Sequence, residues 1–428
     1  MPMSAALLTD HYELTMLEAA LGSGAAHRRA VFEVFARHLP QGRRYGVVAG
    51  TGRVLDVLEA FRFGEEEIGF LRRGRVVDER TLKFLAGYRF TGDVHGYGEG
   101  ECYFPGSPIM VVDGTFAEAV LLETVILSIL NHDSAVASAA SRMVRAAGER
   151  PIIEMGSRRT HEAAAVAAAR AAYLAGFAST SNLMAGGLYG VPTAGTAAHA
   201  FTLLHDSEHD AFEAQLEFLG TDTTLLVDTY DVAKAVRTAV ELAGPRLGAV
   251  RIDSGDLGVA AHEVRRMLDG LGATGTRVVV TGDLDEYSIA ALAAAPVDGY
   301  GVGTSVVTGS GAPTASMVYK LVAREDAGGT VQPVAKQSVG KPSRGGRKTA
   351  FRTLENGVAS CELVSTVPDA PAPAGTRPLL RPLVRGGEIV GREPLTEARA
   401  RHRASVAELP QEAHHLSAGD AAIPTEFT

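Results

Sequence analysis

The sequence predicts an α/β protein whose middle is a run of strand–helix units of the kind that builds a barrel. Three observations predict it. Short apolar segments of strand length recur at Thr224–Val227, Ala249–Ile252 and Arg277–Val280. Segments with helical periodicity follow each of them, near Val232–Leu242, Val259–Asp269 and Asp285–Ala294, as in successive βα units. Each strand also runs into polar residues: Asp228-Thr229, Asp253-Ser254-Gly255-Asp256 and Thr281-Gly282-Asp283. Barrel enzymes carry their chemistry at the carboxyl ends of parallel strands. A single Asp there can simply cap the next helix. Three in succession, one inside Asp-Ser-Gly-Asp, point to a site.

The flanking regions read differently. Val31–Arg37 alternates like a strand, and Gly52–Phe61 has the pattern of an amphipathic helix. Arg72–Gly98 is charged and broken by glycines, and a long apolar helix begins at Phe116. Pro151–Ile153 reads as a strand that leads into Glu154-Met155-Gly156-Ser157-Arg158-Arg159. Beyond residue 330, Lys336, Lys341, Arg344, Arg347 and Lys348 concentrate positive charge. Thr366–Pro382 is rich in Pro and Ala and reads as an ordered surface connection or a mobile loop, and the residues after Ala418 read as a tail. A chain of 428 residues exceeds one ordinary domain. The expected parts are 1–111, 112–329 with the barrel and the site, and 330–428.

Composition excludes several classes. Hydrophobic residues make up 46% and charged residues 21%, which supports a packed core and excludes global disorder. A net charge of −9 argues against a nucleic-acid binder, although a local basic pocket remains open. Two cysteines are too few for a disulfide scaffold or a zinc cluster. The start lacks the basic segment of a secretory signal. The charge-free stretch from Ala171 to Ala198 is interrupted by Ser179-Thr180-Ser181-Asn182, Gly186-Gly187 and Pro192, so it does not read as a membrane span. The expected location is the cytoplasm.

Four segments carry candidate chemistry. Arg158 and Arg159 follow a strand, and a guanidinium fork matches the two oxygens of a carboxylate or phosphate; solvated arginines at a helix start are the alternative. His199 follows the small residues Gly195-Thr196-Ala197-Ala198 and is either a core histidine or a functional one. Gly299-Tyr300-Gly301-Val302-Gly303-Thr304 reads as a glycine-rich turn after a strand, whose N–H groups can cradle phosphate. Lys336–Arg352 is either a cationic lid over a pyrophosphate or a solvated loop. No Walker A sequence, dinucleotide fingerprint or serine-hydrolase elbow is present.

Taken in order, these motifs resemble the nicotinate phosphoribosyltransferase family. The resemblance begins at Thr9-Asp10-His11-Tyr12-Glu13-Leu14-Thr15-Met16 and continues through Arg37-His38-Leu39-Pro40 and Arg43-Arg44-Tyr45-Gly46. Phe104-Pro105-Gly106, Glu123-Thr124, Asn131, Glu154–Arg159, Ser179–Asn182 and Gly195–His199 follow. Asp228-Thr229-Tyr230-Asp231, Arg251–Leu257, Gly301–Thr304, Tyr319-Lys320-Leu321 and the basic segment complete it.

The resemblance implies an irregular α/β barrel of the (β/α)8 kind, packed with an α/β sandwich domain formed from both ends of the chain. It implies ATP-coupled joining of nicotinate to 5-phosphoribosyl 1-diphosphate, with Mg2+ as cofactor and His199 as a phosphohistidine. It also implies homodimers that share active sites. Nicotinate falls to Tyr12, Met155, Arg158 and Ser181. Phosphoribosyl diphosphate falls to Arg37, Arg251, Ser254, Gly303, Thr304, Lys336, Lys341 and Arg347. Asp228 and Asp253 serve the ribose or hydrated Mg2+ beside His199. Many relatives carry Phe at the position of Met155, and nicotinamide-using relatives carry an acid at that of Ser181. The rivals are a nicotinamide- or quinolinate-using enzyme and a catalytically silent phosphosugar-binding barrel.

Overall fold

The computed structural model describes residues 5–40, 42–336, 344–367 and 370–428. The chain divides into two compact units. Residues 1–138 and 312–428 make the first, and residues 139–311 make the second.

The first unit is built on a seven-stranded antiparallel sheet. Its order is Val331–Pro333, Met317–Glu325, Arg29–Ala36, Met110–Thr115, Asp93–Tyr97, Leu380–Arg385 and Glu388–Ile389. Arg29–Ala36 is central and is buried at every position after the first, which is why the segment reads as nearly continuous apolar sequence. One face packs Leu14, Leu17 and Leu21 of helix His11–Ser23 and Val54 and Leu55 of helix Thr51–Ala60 into the main core, where Phe32 stacks on Tyr319 at 4.8 Å. A second sheet joins Thr376–Pro378, Thr349–Glu355, Val358–Ser365 and Thr425–Phe427. The last of these runs parallel to Val358–Ser365, so the segment expected as a tail ends in a paired strand. The Pro- and Ala-rich connection likewise contains Thr376–Pro378 and leads into Leu380–Arg385.

The basic segment is largely structural in its described part. Lys348 is buried and donates to Glu33 at 2.6 Å. Arg344 lies over the Phe427 ring at 4.0 Å. Arg352 is wholly buried and bonds Glu101 at 2.8 Å and Glu362 at 2.5 Å. Arg377 extends that network to Glu101 and Glu408. Burying a charge is costly, and pairing of this kind offsets the cost.

The second unit is an irregular half-barrel of six parallel strands. The order is Ser179–Thr180, Ile152–Glu154, Gly299–Val302, Arg277–Thr281, Ala249–Ile252 and Thr224–Leu226. That order follows the chain around a ring, since the last strand in sequence pairs with the first. Among the described residues no ladder joins Ser179–Thr180 to Thr224–Leu226; helices Leu183–Tyr189, His199–Leu204 and Glu208–Leu219 occupy the intervening sequence. Helices Val232–Ala243, Leu257–Gly270 and Glu286–Ala291 return the chain between later strands. Gly299–Val302, expected as a turn, is itself a strand, and the turn begins at Gly303. No helix among the described residues is long and apolar enough to cross a membrane.

Candidate active site

The aspartates that follow the barrel strands fall into two sets. Asp231, Asp256 and Asp285 are helix caps whose side chains accept from the N–H groups of Lys234, Val259 and Ser288. Asp228, Asp253 and Asp283 stand closer to the strand ends and cap no helix. Asp253 and Asp283 line a cavity of about 460 Å³ at the carboxyl ends of the strands. Helix capping and the candidate site therefore occupy different residues of the same short loops.

Asp228 is the organising acid on one side. Its Oδ2 accepts from the Asp253 N–H at 2.9 Å and from the Ser254 hydroxyl at 2.7 Å. Its Oδ1 is buried and has no hydrogen-bond partner among the described residues. That oxygen lies 3.9 Å from His199 Nε2, and Asp253 Oδ2 lies 4.0 Å from the same nitrogen. His199 Nδ1 meets the Thr229 hydroxyl at 3.2 Å. The loop that follows Thr224–Leu226 thus holds Nδ1, while Nε2 faces the two carboxylates beyond hydrogen-bond distance.

Arg251 connects this group to the approach of His199. Its guanidinium donates through Nε to the Thr281 hydroxyl at 3.1 Å and through Nη1 to Thr196 Oγ1 and to the Ala197 carbonyl. The Thr281 hydroxyl in turn donates to Asp253 Oδ1. The Thr281-Gly282-Asp283 turn is tight: Gly282 has φ of 118°, a Cβ there would lie 2.6 Å from the Asp253 carbonyl, and Asp283 has φ of 46°. A non-glycine residue in the left-handed region is uncommon and is held there by its surroundings.

On the other side, Arg158, Ser157, Ser181 and Met155 line the cavity. Met155 packs over Gly301, where a Cβ would lie 2.8 Å from its Sδ and 2.5 Å from Thr281 Cγ2. Arg158 and Ser181 are exposed at the mouth. Below them the buried Glu154 accepts from the Gly156 N–H and, at 2.5 Å, from the Thr180 hydroxyl. Burial pushes its carboxyl above the usual range.

Met155, Arg158, Ser181, Arg251, Asp253, Gly303 and Thr304, all expected from the sequence, line one cavity. His199, Asp228 and Ser254 adjoin it through Asp253. Tyr12, Arg37, Lys336 and Arg347 belong to the first unit, and Lys341 lies outside the described residues. Tyr12 is 44% exposed, with partial burial and Glu123 holding its hydroxyl above the ordinary range. Arg37 follows the central strand, and its buried Nε has no hydrogen-bond partner among the described residues. Arg347 Nε is 3.8 Å from Asp113, which Arg29 also grips at 2.8 Å. Lys336 is exposed. The sequence reading missed Thr196, Thr229 and Thr281 as contacts, because lone hydroxyls carry no periodic or charge signal.

Parallel strands with acids beyond their carboxyl ends, a guanidinium at the mouth and Gly303 beside the turn that carries it define an α/β site suited to a small anionic substrate. Residues 7–131 match the nicotinate phosphoribosyltransferase (NAPRTase) N-terminal domain. A nicotinate phosphoribosyltransferase of Mycobacterium tuberculosis is 58% identical over 438 residues, covering 98% of this chain and 95% of that protein. The crystal structure of human nicotinic acid phosphoribosyltransferase matches with a TM-score of 0.85 at 28% identity, covering 98% of this chain and 97% of the other. A nicotinate-nucleotide pyrophosphorylase from Pyrococcus furiosus matches with a TM-score of 0.78 at 26% identity, over 94% and 95%. The chain belongs to the nicotinate phosphoribosyltransferase family.

Proposed function

We propose that this chain joins nicotinate to 5-phosphoribosyl 1-diphosphate, giving nicotinate mononucleotide and diphosphate. The observation that carries the reading is the meeting of Arg158 and Ser181 with Arg251 and Asp253 around one cavity. A pyridine carboxylate docks its anion on the Arg158 fork. A serine, and not an acid, at position 181 leaves that anion unopposed. The pyridine nitrogen lone pair forms the bond to ribose C1 as the bond from C1 to the diphosphate oxygen breaks and its electron pair leaves with diphosphate. Positive charge grows on the ribose ring in between, and Asp253 and Asp228 are placed to stabilise it or to hold the ribose hydroxyls.

Mg2+ suits the same acids. Asp228 Oδ1 is a buried oxygen without a hydrogen-bond partner among the described residues, and hard cations prefer such donors. Asp228 and Asp253 would hold the hydrated ion, whose charge would neutralise the diphosphate. Thr281 and Ser254 keep these carboxylates oriented meanwhile.

ATP enters through His199. A ring nitrogen forms a bond to the γ-phosphorus, the bond to the bridging oxygen breaks and ADP leaves; water later removes the phosphate. The small residues before His199 leave room for that group, and the cavity wall at Gly195–Ala198 is built from them. Shared sites in a homodimer fit the exposure of Tyr12 and Met16 one turn apart on helix His11–Ser23, and of Leu183, Met184 and Leu188 on a barrel-unit helix. The deciding assay supplies 5-phosphoribosyl 1-diphosphate with nicotinate, nicotinamide or quinolinate, with and without Mg-ATP. Nicotinate turnover stimulated by ATP is expected; preference for either other base sinks the proposal.

A further inference from the structure

Two turns of the barrel unit, one leading to Arg158 and the other to Ser181, are tied from below by one buried carboxylate. Glu154 ends strand Ile152–Glu154 and is 1% exposed. One of its side-chain oxygens takes the Gly156 N–H and the other takes the Thr180 hydroxyl. Its carbonyl accepts from the Ser181 N–H at 2.8 Å. The tie continues through Asn182, whose N–H donates to Thr180 Oγ1 at 3.0 Å and whose side-chain amide donates to Ser157 Oγ at 2.9 Å.

The side-chain partners of Glu154 are neutral donors, a backbone amide and a hydroxyl. A carboxyl buried without a cationic partner is costly, and an apolar residue in its place would leave both buried donors without an acceptor. The acid supplies two acceptor oxygens where both partners are donors. A glutamine would set its NH2 against one of them. The space around it is equally restricted: a Cβ on Gly156 would lie 2.9 Å from Glu154 Oε1 and 2.2 Å from Val307 Cγ1. Arg158 is two residues beyond Gly156, and Ser181 is the residue after Thr180. The carboxylate is therefore the side-chain tie between the two turns nearest Arg158 and Ser181, added to the parallel ladder that pairs Glu154 with Thr180.

We propose that Glu154 is a positioning residue for base specificity, its two oxygens fixing the Arg158 and Ser181 turns at the spacing that accepts a pyridine carboxylate over the corresponding amide. The inference rests on the nicotinate reading given above. Ångström-scale slack at a bidentate clamp is enough to cost affinity and discrimination.

The test compares wild-type protein, Glu154→Gln, Thr180→Val and Thr180→Ser in steady-state kinetics with nicotinate and with nicotinamide. Glu154→Gln and Thr180→Val should each raise the nicotinate KM about tenfold and lower the preference for nicotinate over nicotinamide by a similar factor. The KM for 5-phosphoribosyl 1-diphosphate should move less than about twofold. Thr180→Ser, which keeps the hydroxyl, should recover most of the loss. A uniform fall in kcat with the base preference intact, or equal behaviour of the two Thr180 variants, overturns the inference. Should Glu154→Gln not fold, the Thr180 pair decides by the same criteria. Wild-type protein with no nicotinate turnover removes the parent reading and this inference with it.

Discussion

Aspartates beyond the barrel strands divide between capping helices and facing the candidate site. Asp231, Asp256 and Asp285 hold helix N-termini, and this frees Asp228 and Asp253 to face His199. His199 is the residue to test first. Incubation with Mg-ATP alone should label it with a phosphate that is lost in acid and kept in base, as a phosphoramidate is. His199→Ala should lose both the label and the stimulation by ATP, while label on any other residue would refute the assignment. Arg158 offers the second test. Its guanidinium is exposed at the cavity mouth, so the loss is that of a charge-assisted bond of about 1.5–3 kcal/mol, and not that of a deeply buried pair. Arg158→Ala should raise the nicotinate KM roughly ten- to a hundredfold. An unchanged KM would remove Arg158 from the site. The acids and Arg158 were legible because charge at a strand end is a strong signal. Thr281 and Thr196 were not, since their importance lies in what Arg251 and Asp253 reach in space.

At the scale of elements, the barrel strands were legible as apolar runs of the right length, and the helices between them by their period. The failures have specific causes. Gly299–Val302 reads as a turn from its glycines, yet glycine is needed there because Met155 and Thr281 crowd the strand. Thr425–Phe427 carries no strand signal of its own and exists through its ladder to Glu362–Val364. The basic run reads as either a lid or a solvated loop, and within its described part Lys348 finds its acid on a strand far away in sequence. Helix Leu395–Ala407 supplies a prediction at this scale. His402 on it is buried, and burial with Arg399 and Arg403 nearby pushes its pKa down to about 4. The neutral form is thus the folded form. The unfolded chain takes up a proton near pH 6.5 and the folded chain does not, so this contribution is complete above pH 6.5 and is lost as pH falls toward 4. At pH 5 the loss is on the order of 2 kcal/mol. His402→Gln, which does not titrate, should flatten denaturant-measured stability between pH 7 and pH 5; parallel profiles for the two proteins would contradict this.

The whole molecule is two units made from three pieces of chain, with the barrel inserted in the antiparallel unit. Tyr12 and Arg37 belong to one unit and His199 to the other, so subunit mixing can ask which chain completes a site. If Tyr12 acts across a two-fold dimer, Tyr12→Ala and His199→Ala chains mixed at equal amounts should regain about a quarter of wild-type activity, because half the dimers are hybrids with one intact site each. No recovery after verified exchange of subunits would put both residues in the site of a single chain.

The same insertion bears on how the chain is made. Ala30 pairs with Arg324 in the central sheet, roughly 290 residues later. At ribosomal speeds of about 5–20 residues per second, the central strand emerges some 15–60 s before its partner. The half-barrel, whose strands pair with near neighbours apart from the ladder between Gly299–Val302 and Ile152–Glu154, can fold during that wait. The apolar strand Arg29–Ala36 meanwhile has one open edge and a known hazard of pairing with another nascent chain. Biogenesis of this protein therefore turns on keeping one edge of an early strand unpaired until the inserted half-barrel has been synthesised.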